Sequence, residues 1–192
     1  MHDVALEDRA PGALLEEIAA LKAEVAALRQ RVGELDALAC QDVLVPAANR
    51  RGMMRELDKL IARHARFGEP AAVLFVDLDG LKQVNDRYGH SGGDAALVHV
   101  CEQLRDGTRA TDTVARLGGD EFCVLLDHAD QATAMATAER LIEAIAGDDF
   151  LFEGKPMPLS VAIGATMIEP GDTPQSVLAR ADQAMYRVKS AA

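Results

Sequence analysis

The sequence is short of cysteine, of positive charge and of long apolar runs, and each shortage removes a class of function. Its three cysteines, Cys40, Cys101 and Cys123, are an odd number and lack metal-ligand spacing. They sit within apolar segments and read as reduced packing residues, with no histidine placed to activate one as a nucleophile. Twenty Lys and Arg stand against 31 Asp and Glu, a formal charge of -11. Such a chain has no Lys/Arg-rich face to displace counterions from a polyanion, so nucleic acid is excluded as a partner. A small anion held together with metal ions is not excluded. No apolar run is long enough to cross a bilayer, and the first eight residues form neither a basic n-region nor an apolar h-region. The expected location is the cytoplasm, without membrane contact.

What is present is 49% hydrophobic residues, enough for one domain with a sizeable core and a modest extension. The extension has a pattern. Leu14, Ile18, Leu21, Val25, Leu28, Val32 and Leu35 recur at alternating four- and three-residue steps. Ile18, Val25 and Val32 fall at heptad position a, and the leucines at d, the combination that favours a parallel two-stranded coil. In that register Glu17 faces Lys22, Glu24 faces Arg29 and Arg31 faces Asp36 across a dimer, each pair opposite in sign. A lone amphipathic helix folded onto its own domain has no need of those matches. Gly33 is expected to weaken the last turns. The organisation expected is a tail over 1–13, a dimeric coil over 14–41 and a folded domain over 42–192.

After a break near Val45-Pro46, a helix is expected with Met53, Met54, Leu57, Leu60 and Ile61 inward. Ala71 to Val76 is a continuous apolar run that reads as a buried strand entering the polar loop Asp77-Leu78-Asp79-Gly80. Ser91 is expected to cap a helix that turns Leu97, Val98, Cys101 and Leu104 inward. Thr113–Leu117 and Phe122–Leu126 flank Gly118-Gly119-Asp120-Glu121 as a hairpin. Asp130 is placed to cap a helix with Met135, Ala138, Leu141, Ile142 and Ile145 inward and Gly147 at its end. A second hairpin is expected over Phe150 to Met167. Thr173-Pro174 opens a last helix with Val177, Leu178, Ala181, Met185 and Val188 inward. Strands interleaved with helices give an α/β class, with a mixed, mostly antiparallel central sheet flanked by helices.

Gly118-Gly119-Asp120-Glu121 alone is an ordinary turn sequence, because paired glycines supply positive φ. Asp77 changes its meaning, since a carboxylate ending so apolar a strand needs a reason. Two carboxylates at adjacent strand ends can hold divalent cations, and a glycine turn lets phosphate oxygens approach the backbone.

Arg116-Leu117-Gly118-Gly119-Asp120-Glu121-Phe122 resembles the RxGGDEF signature of the diguanylate cyclases. Further motifs follow in the family's order. Asp77 to Asp86 is similar to DxDxFKxxND, with Leu81 in place of Phe; Gly89 to Asp94 is similar to GHxxGD; and Ala181 to Tyr186 with Lys189 resembles the closing AD-x-AMY-xx-K helix. The resemblance implies a nucleotidyl-cyclase or polymerase-palm-like domain that condenses two GTP into cyclic di-GMP and pyrophosphate, one GTP per domain of a homodimer. It implies magnesium, two ions per GTP with manganese as a substitute, held by Asp77, the Leu78 carbonyl and Asp120 or Glu121. Either Asp120 or Glu121 is then the catalytic base. Gly118 and Gly119 would border the triphosphate, Lys82 and Lys189 would contact its phosphates, and Asn85 and Asp94 would read guanine. Arg109 and Asp112 match the family's RxxD inhibitory site for the product, with Arg140 as a contributor from the neighbouring helix.

The departures are Val45-Pro46-Ala47 where the family has Thr-Gly-Leu, and an end at Ala192 where it commonly continues into Gly-Arg-Asn with a second phosphate-binding Arg. The resemblance implies weaker catalysis without that Arg. A degenerate domain that binds GTP or cyclic di-GMP as a regulator is the alternative, and the intact Asp77, Asp120 and Glu121 argue against it. No motif identifies an input, which leaves room for an unidentified signalling partner.

Overall fold

The computed structural model describes residues 11–191, so most of the expected tail lies outside the described residues. The contacts divide the chain into two units, 1–39 and 40–192. The first contains a single described element, helix α1 (Pro11–Leu38), which starts on a proline suited to a first helical turn. It passes through Gly33 without ending there; one glycine costs a helix only about 1 kcal/mol relative to alanine. Every residue of the expected seam is exposed, from Ile18 at 39% to Val32 at 65%.

The second unit is a three-layer sandwich. Its elements are β1 (Ala48–Asn49), α2 (Arg50–Phe67), β2 (Ala71–Leu78), α3 (Leu81–Asp106), β3 (Thr113–Gly118), β4 (Glu121–Asp127), α4 (Gln131–Gly147), β5 (Leu151–Phe152), β6 (Lys155–Pro156), β7 (Val161–Met167) and α5 (Pro174–Ala191). The main sheet has the order β1-β3-β4-β2-β7. Only β1 and β3 run parallel; the other neighbours are antiparallel, as expected from the sequence.

The apolar residues of the sheet divide by parity. Leu74, Val76 and Leu78 of β2, with Phe122, Val124 and Leu126 of β4, pack against Leu97, Val100 and Leu104 of α3 and Leu141 and Ile145 of α4. Val73, Phe75, Cys123 and Leu125 face the opposite way, onto Met53, Leu57 and Leu60 of α2 and Val177, Ala181 and Met185 of α5. Side chains alternate faces along a strand, so this parity also fixes which helices border the residues at the strand ends.

The structure differs from the sequence expectation at four places. Ser91 caps no helix: α3 starts earlier, at Leu81, and is interrupted at Gly89 (φ 74°, ψ 177°), so a backbone kink separates its two parts. Met135 is 47% exposed, because the buried stripe of α4 runs through Ala134, Ala138, Leu141 and Ile145. Val188 is 45% exposed, because that of α5 ends at Met185. The expected hairpin over Phe150 to Met167 is two features. β5 and β6 make a small separate ribbon, while β7 joins β2 in the main sheet.

Candidate active site

Asp77, next to last in β2, lies directly opposite Glu121, which starts β4, in the middle of the main sheet. Asp77 has the parity of Val73 and Phe75, so both carboxylates belong to the face covered by α2 and α5. Carboxylates directly opposite on adjacent strands repel, and a site that keeps them there needs cations. Lys189 and Arg50 supply them. Lys189, from the last turns of α5, donates to Asp77 Oδ1 and lies 3.8 Å from Asp79 Oδ1. Arg50, first in α2, donates from Nε to the Leu117 carbonyl at 3.4 Å and opposes the negative field at Glu121.

Burial pushes the Glu121 carboxyl above the usual range; Arg50 pulls it down, and Asp120, Asp182 and Asp77 push it further up. The Asp77 carboxylate holds the Lys189 ammonium proton more tightly than usual.

The backbone beside Asp77 is aimed by its neighbours. The Leu78 N–H donates to the Asp120 carbonyl at 3.0 Å, and the Asp79 N–H to the Ser160 carbonyl at 2.9 Å, on the other side of the strand. In a trans peptide the Leu78 carbonyl points opposite to the Asp79 N–H, hence toward the Asp120 side. Ser160 Oγ also donates to Asp79 Oδ2 at 2.9 Å, fixing that turn from two directions.

The turn between β3 and β4 requires its glycines: φ is 148° at Gly118 and 52° at Gly119, and the register shifts there so that Gly118 pairs with Glu121. Arg116 braces it, donating from Nε and Nη2 to the Gly119 carbonyl at 3.1 and 2.8 Å, and its Nη1 lies 3.5 Å from Asp42 Oδ1. Asp42 in turn accepts from the Leu44 and Val45 N–H groups at 2.9 and 3.0 Å, which shapes the segment carrying Val45-Pro46-Ala47.

The kink at Gly89 folds the first part of α3 back on the second. A Cβ on Gly93 would fall 2.1 Å from Asn85 Oδ1, so Asn85 lies against the turn that carries Asp94. Lys82 is exposed at the start of the same helix.

The other predicted group assembles elsewhere. Arg109, Asp112 and Arg140 border one open hollow of about 190 Å³, together with Asp106, Thr133 and Thr137. Asp112 also orders the local backbone, since its Oδ2 accepts from the Arg109 N–H at 2.8 Å and its Oδ1 from the Asp127 N–H at 3.1 Å. Arg140 Nη2 donates to the Gly107 carbonyl at 2.8 Å.

The residues fit a hard divalent cation in donor type. Asp77, Asp120, Glu121 and the Leu78 carbonyl are all oxygen donors, and an ammonium already sits on Asp77. Among the described residues, however, no three His, Cys, Asp or Glu side chains converge on one point. A carbonyl belongs to the expected set.

Sequence reasoning missed Arg50, Asp182 and Ser160. Asp182 stands within the closing helix motif without an assigned role, and Arg50 and Ser160 reach the site from segments distant in sequence, through helix packing and backbone pairing.

Residues 39–192 match the family described as diguanylate cyclase, GGDEF domain. The chain belongs to that family. It is 34% identical to the diguanylate cyclase DgcP of Pseudomonas aeruginosa over 93% of this chain and 27% of that protein. It is 36% identical to the response regulator PleD of Caulobacter vibrioides over 85% of this chain and 37% of that protein. It thus spans about a quarter to two fifths of these curated relatives. The solved coiled coil and GGDEF domain of DgcB from Caulobacter crescentus, in complex with c-di-GMP, superposes with a TM-score of 0.79 at 26% identity, covering 93% of this chain and 95% of that one. No helix among the described residues is long and apolar enough to cross a membrane.

Proposed function

We propose that this GGDEF domain condenses two GTP molecules into cyclic di-GMP, releasing pyrophosphate from each. The observation that carries the proposal is the pair Asp77 and Glu121, directly opposite on the two central strands, beside a glycine turn open to phosphate. Relatives named diguanylate cyclases, 34 to 37% identical over nearly the whole chain, support it. Asp77, the Leu78 carbonyl and Asp120 or Glu121 would hold magnesium, which when bound neutralises charge at the phosphates and acidifies a hydroxyl. Asp94 accepts from the N1 and N2 hydrogens of guanine, with Asn85 beside it; adenine offers Asp94 only an acceptor at N1. Gly118 and Gly119 border the triphosphate, and Lys82 neutralises it from outside.

Each domain is half a site, since one nucleotide's 3′-hydroxyl attacks the α-phosphate of the other. The exposed seam of α1 supports a parallel homodimer that tethers the two halves and replaces a bimolecular encounter with a high effective concentration. The hollow bordered by Arg109, Asp112 and Arg140 supports product inhibition, with guanidinium groups that grip phosphate or stack on guanine.

Incubation of purified protein with magnesium and GTP, then with ATP, tests the reading by mass identification of the product. Cyclic di-GMP from GTP alone is expected, abolished in Asp120→Ala and Glu121→Ala while both variants stay dimeric. Undiminished turnover in both variants, or equal use of ATP, refutes it.

A further inference from the structure

The family resemblance places Lys189 on the triphosphate, yet the structure seats its ammonium on Asp77, the residue assigned to the metal. The environment explains the preference. Asp77 and Glu121 face each other across β2 and β4, Asp120 and Asp182 add to the negative field at Glu121, and Asp79 Oδ1 lies 3.8 Å from Nζ. Arg50, the cation that opposes the negative field at Glu121, is turned to the Leu117 carbonyl. Lys189 is therefore the group that compensates Asp77.

An ammonium and a divalent cation compete for the same carboxylate oxygen, because both need its lone pairs and both relieve the same repulsion. The lysine side chain is 43% exposed and long, so it can leave Asp77 without moving the helix. A partner for it then arrives with the nucleotide, since a triphosphate offers several anionic oxygens at the same edge of the sheet.

We propose that Lys189 is a placeholder cation: it occupies Asp77 in the nucleotide-free protein and transfers to phosphate when nucleotide and metal bind. The inference rests on the metal-dependent GTP reading above and adds an order to it. Metal alone binds weakly, nucleotide strengthens metal binding, and by reciprocity metal strengthens nucleotide binding.

Mn2+ binding, read by electron paramagnetic resonance of the free ion, tests this without turnover. The wild type, Lys189→Met, Lys189→Gln and Lys189→Arg are titrated with and without a non-hydrolysable GTP analogue. Without nucleotide, Lys189→Met and Lys189→Gln are expected to bind Mn2+ about five-fold more tightly than wild type, the scale of one partly exposed ion pair. Lys189→Arg, which keeps the charge, should stay near wild type. The analogue should tighten Mn2+ binding by a larger factor in wild type than in Lys189→Met.

An Asp77→Asn background separates direct occupancy from a general loss of positive charge, because the gain from Lys189→Met should vanish there. Equal Mn2+ affinity in wild type and both neutral variants overturns the proposal, as does a gain that survives in Asp77→Asn. If wild type fails to bind Mn2+ even with the analogue, the underlying metal reading falls as well.

Discussion

Gly164→Ala is the substitution that connects the packing of this domain most directly to its chemistry. Gly164 lies on β7 opposite Phe75, where α5 crosses the sheet. A Cβ there would stand 2.0 Å from the Met185 backbone nitrogen, 2.5 Å from its Cα and 2.6 Å from the Ala184 carbonyl carbon. No rotamer change relieves a collision with backbone. Reaching ordinary contact at 3.4 Å requires α5 to retreat by about 1.4 Å. That retreat loosens Val177, Ala181 and Met185, which are buried against the α2 side of the sheet. Overpacking of this kind costs about 3 kcal/mol, a loss of about 6–12 °C in Tm for a chain of this size. The same movement displaces Asp182 and Lys189, and a 1 Å misplacement in a positioned site costs about 100-fold in rate. Urea unfolding gives the stability and GTP turnover the rate. Gly147→Ala is the control, with nothing within 4 Å of its Cβ, and should change stability by less than about 0.5 kcal/mol. A Gly164→Ala protein with the wild-type urea midpoint and turnover would refute both the packing and its link to the site.

The remaining predictions concern separate parts of the molecule. Asp172, with a side chain only 6% exposed, accepts from Arg180 Nη1 at 2.5 Å and Nη2 at 2.8 Å, and those bonds hold its carboxyl far below the usual range. Its contribution is therefore complete above the unfolded value of about pH 4 and is lost as pH falls through the folded value. Asp172→Asn should cost about 2 kcal/mol at pH 7 and progressively less toward pH 2 in urea melts; a pH-independent loss would refute this. Replacing Leu21 and Leu28 with Lys should give a monomer whose specific activity rises with protein concentration, checked by light scattering and dilution assays. Arg109→Ala should relieve inhibition by cyclic di-GMP at unchanged basal rate. It is a cleaner probe than Asp112, which also holds two backbone N–H groups.

The parts legible in the sequence are those fixed by local chemistry. Asp130 caps α4 as its spacing implies, accepting from the Thr133 N–H at 2.8 Å, and Thr173 opens α5 by exchanging hydrogen bonds with Ser176 at 3.2 and 3.0 Å. The glycine turn and its two strands are readable because positive φ and alternation leave their mark within a few residues. Met135 and Val188 mislead for a related reason. An apolar residue beside the true stripe of a helix fits the period almost as well as one on it, and only the neighbouring sheet decides between them. The two-residue strands β1, β5 and β6 carry too short a pattern to be seen at all.

Register explains the rest of what is hidden. Motif order places Asp77 and Glu121 in one site, but it does not say that they are direct cross-strand partners or which helices face them. Parity supplies both once β2 and β4 are aligned, because Asp77 follows Val73 and Phe75 onto the face of α2 and α5. Arg50, Asp182 and Lys189 then become neighbours of the carboxylates for a single geometric reason. Asn85, on the α3 side, is instead brought against Gly93, the neighbour of Asp94, across the kink at Gly89. Under the proposed reading, the strand end between these two groups separates phosphate chemistry from base recognition: β2 delivers Asp77 to one face of the sheet, and the helix that follows it, α3, carries Asn85 and Asp94 on the other.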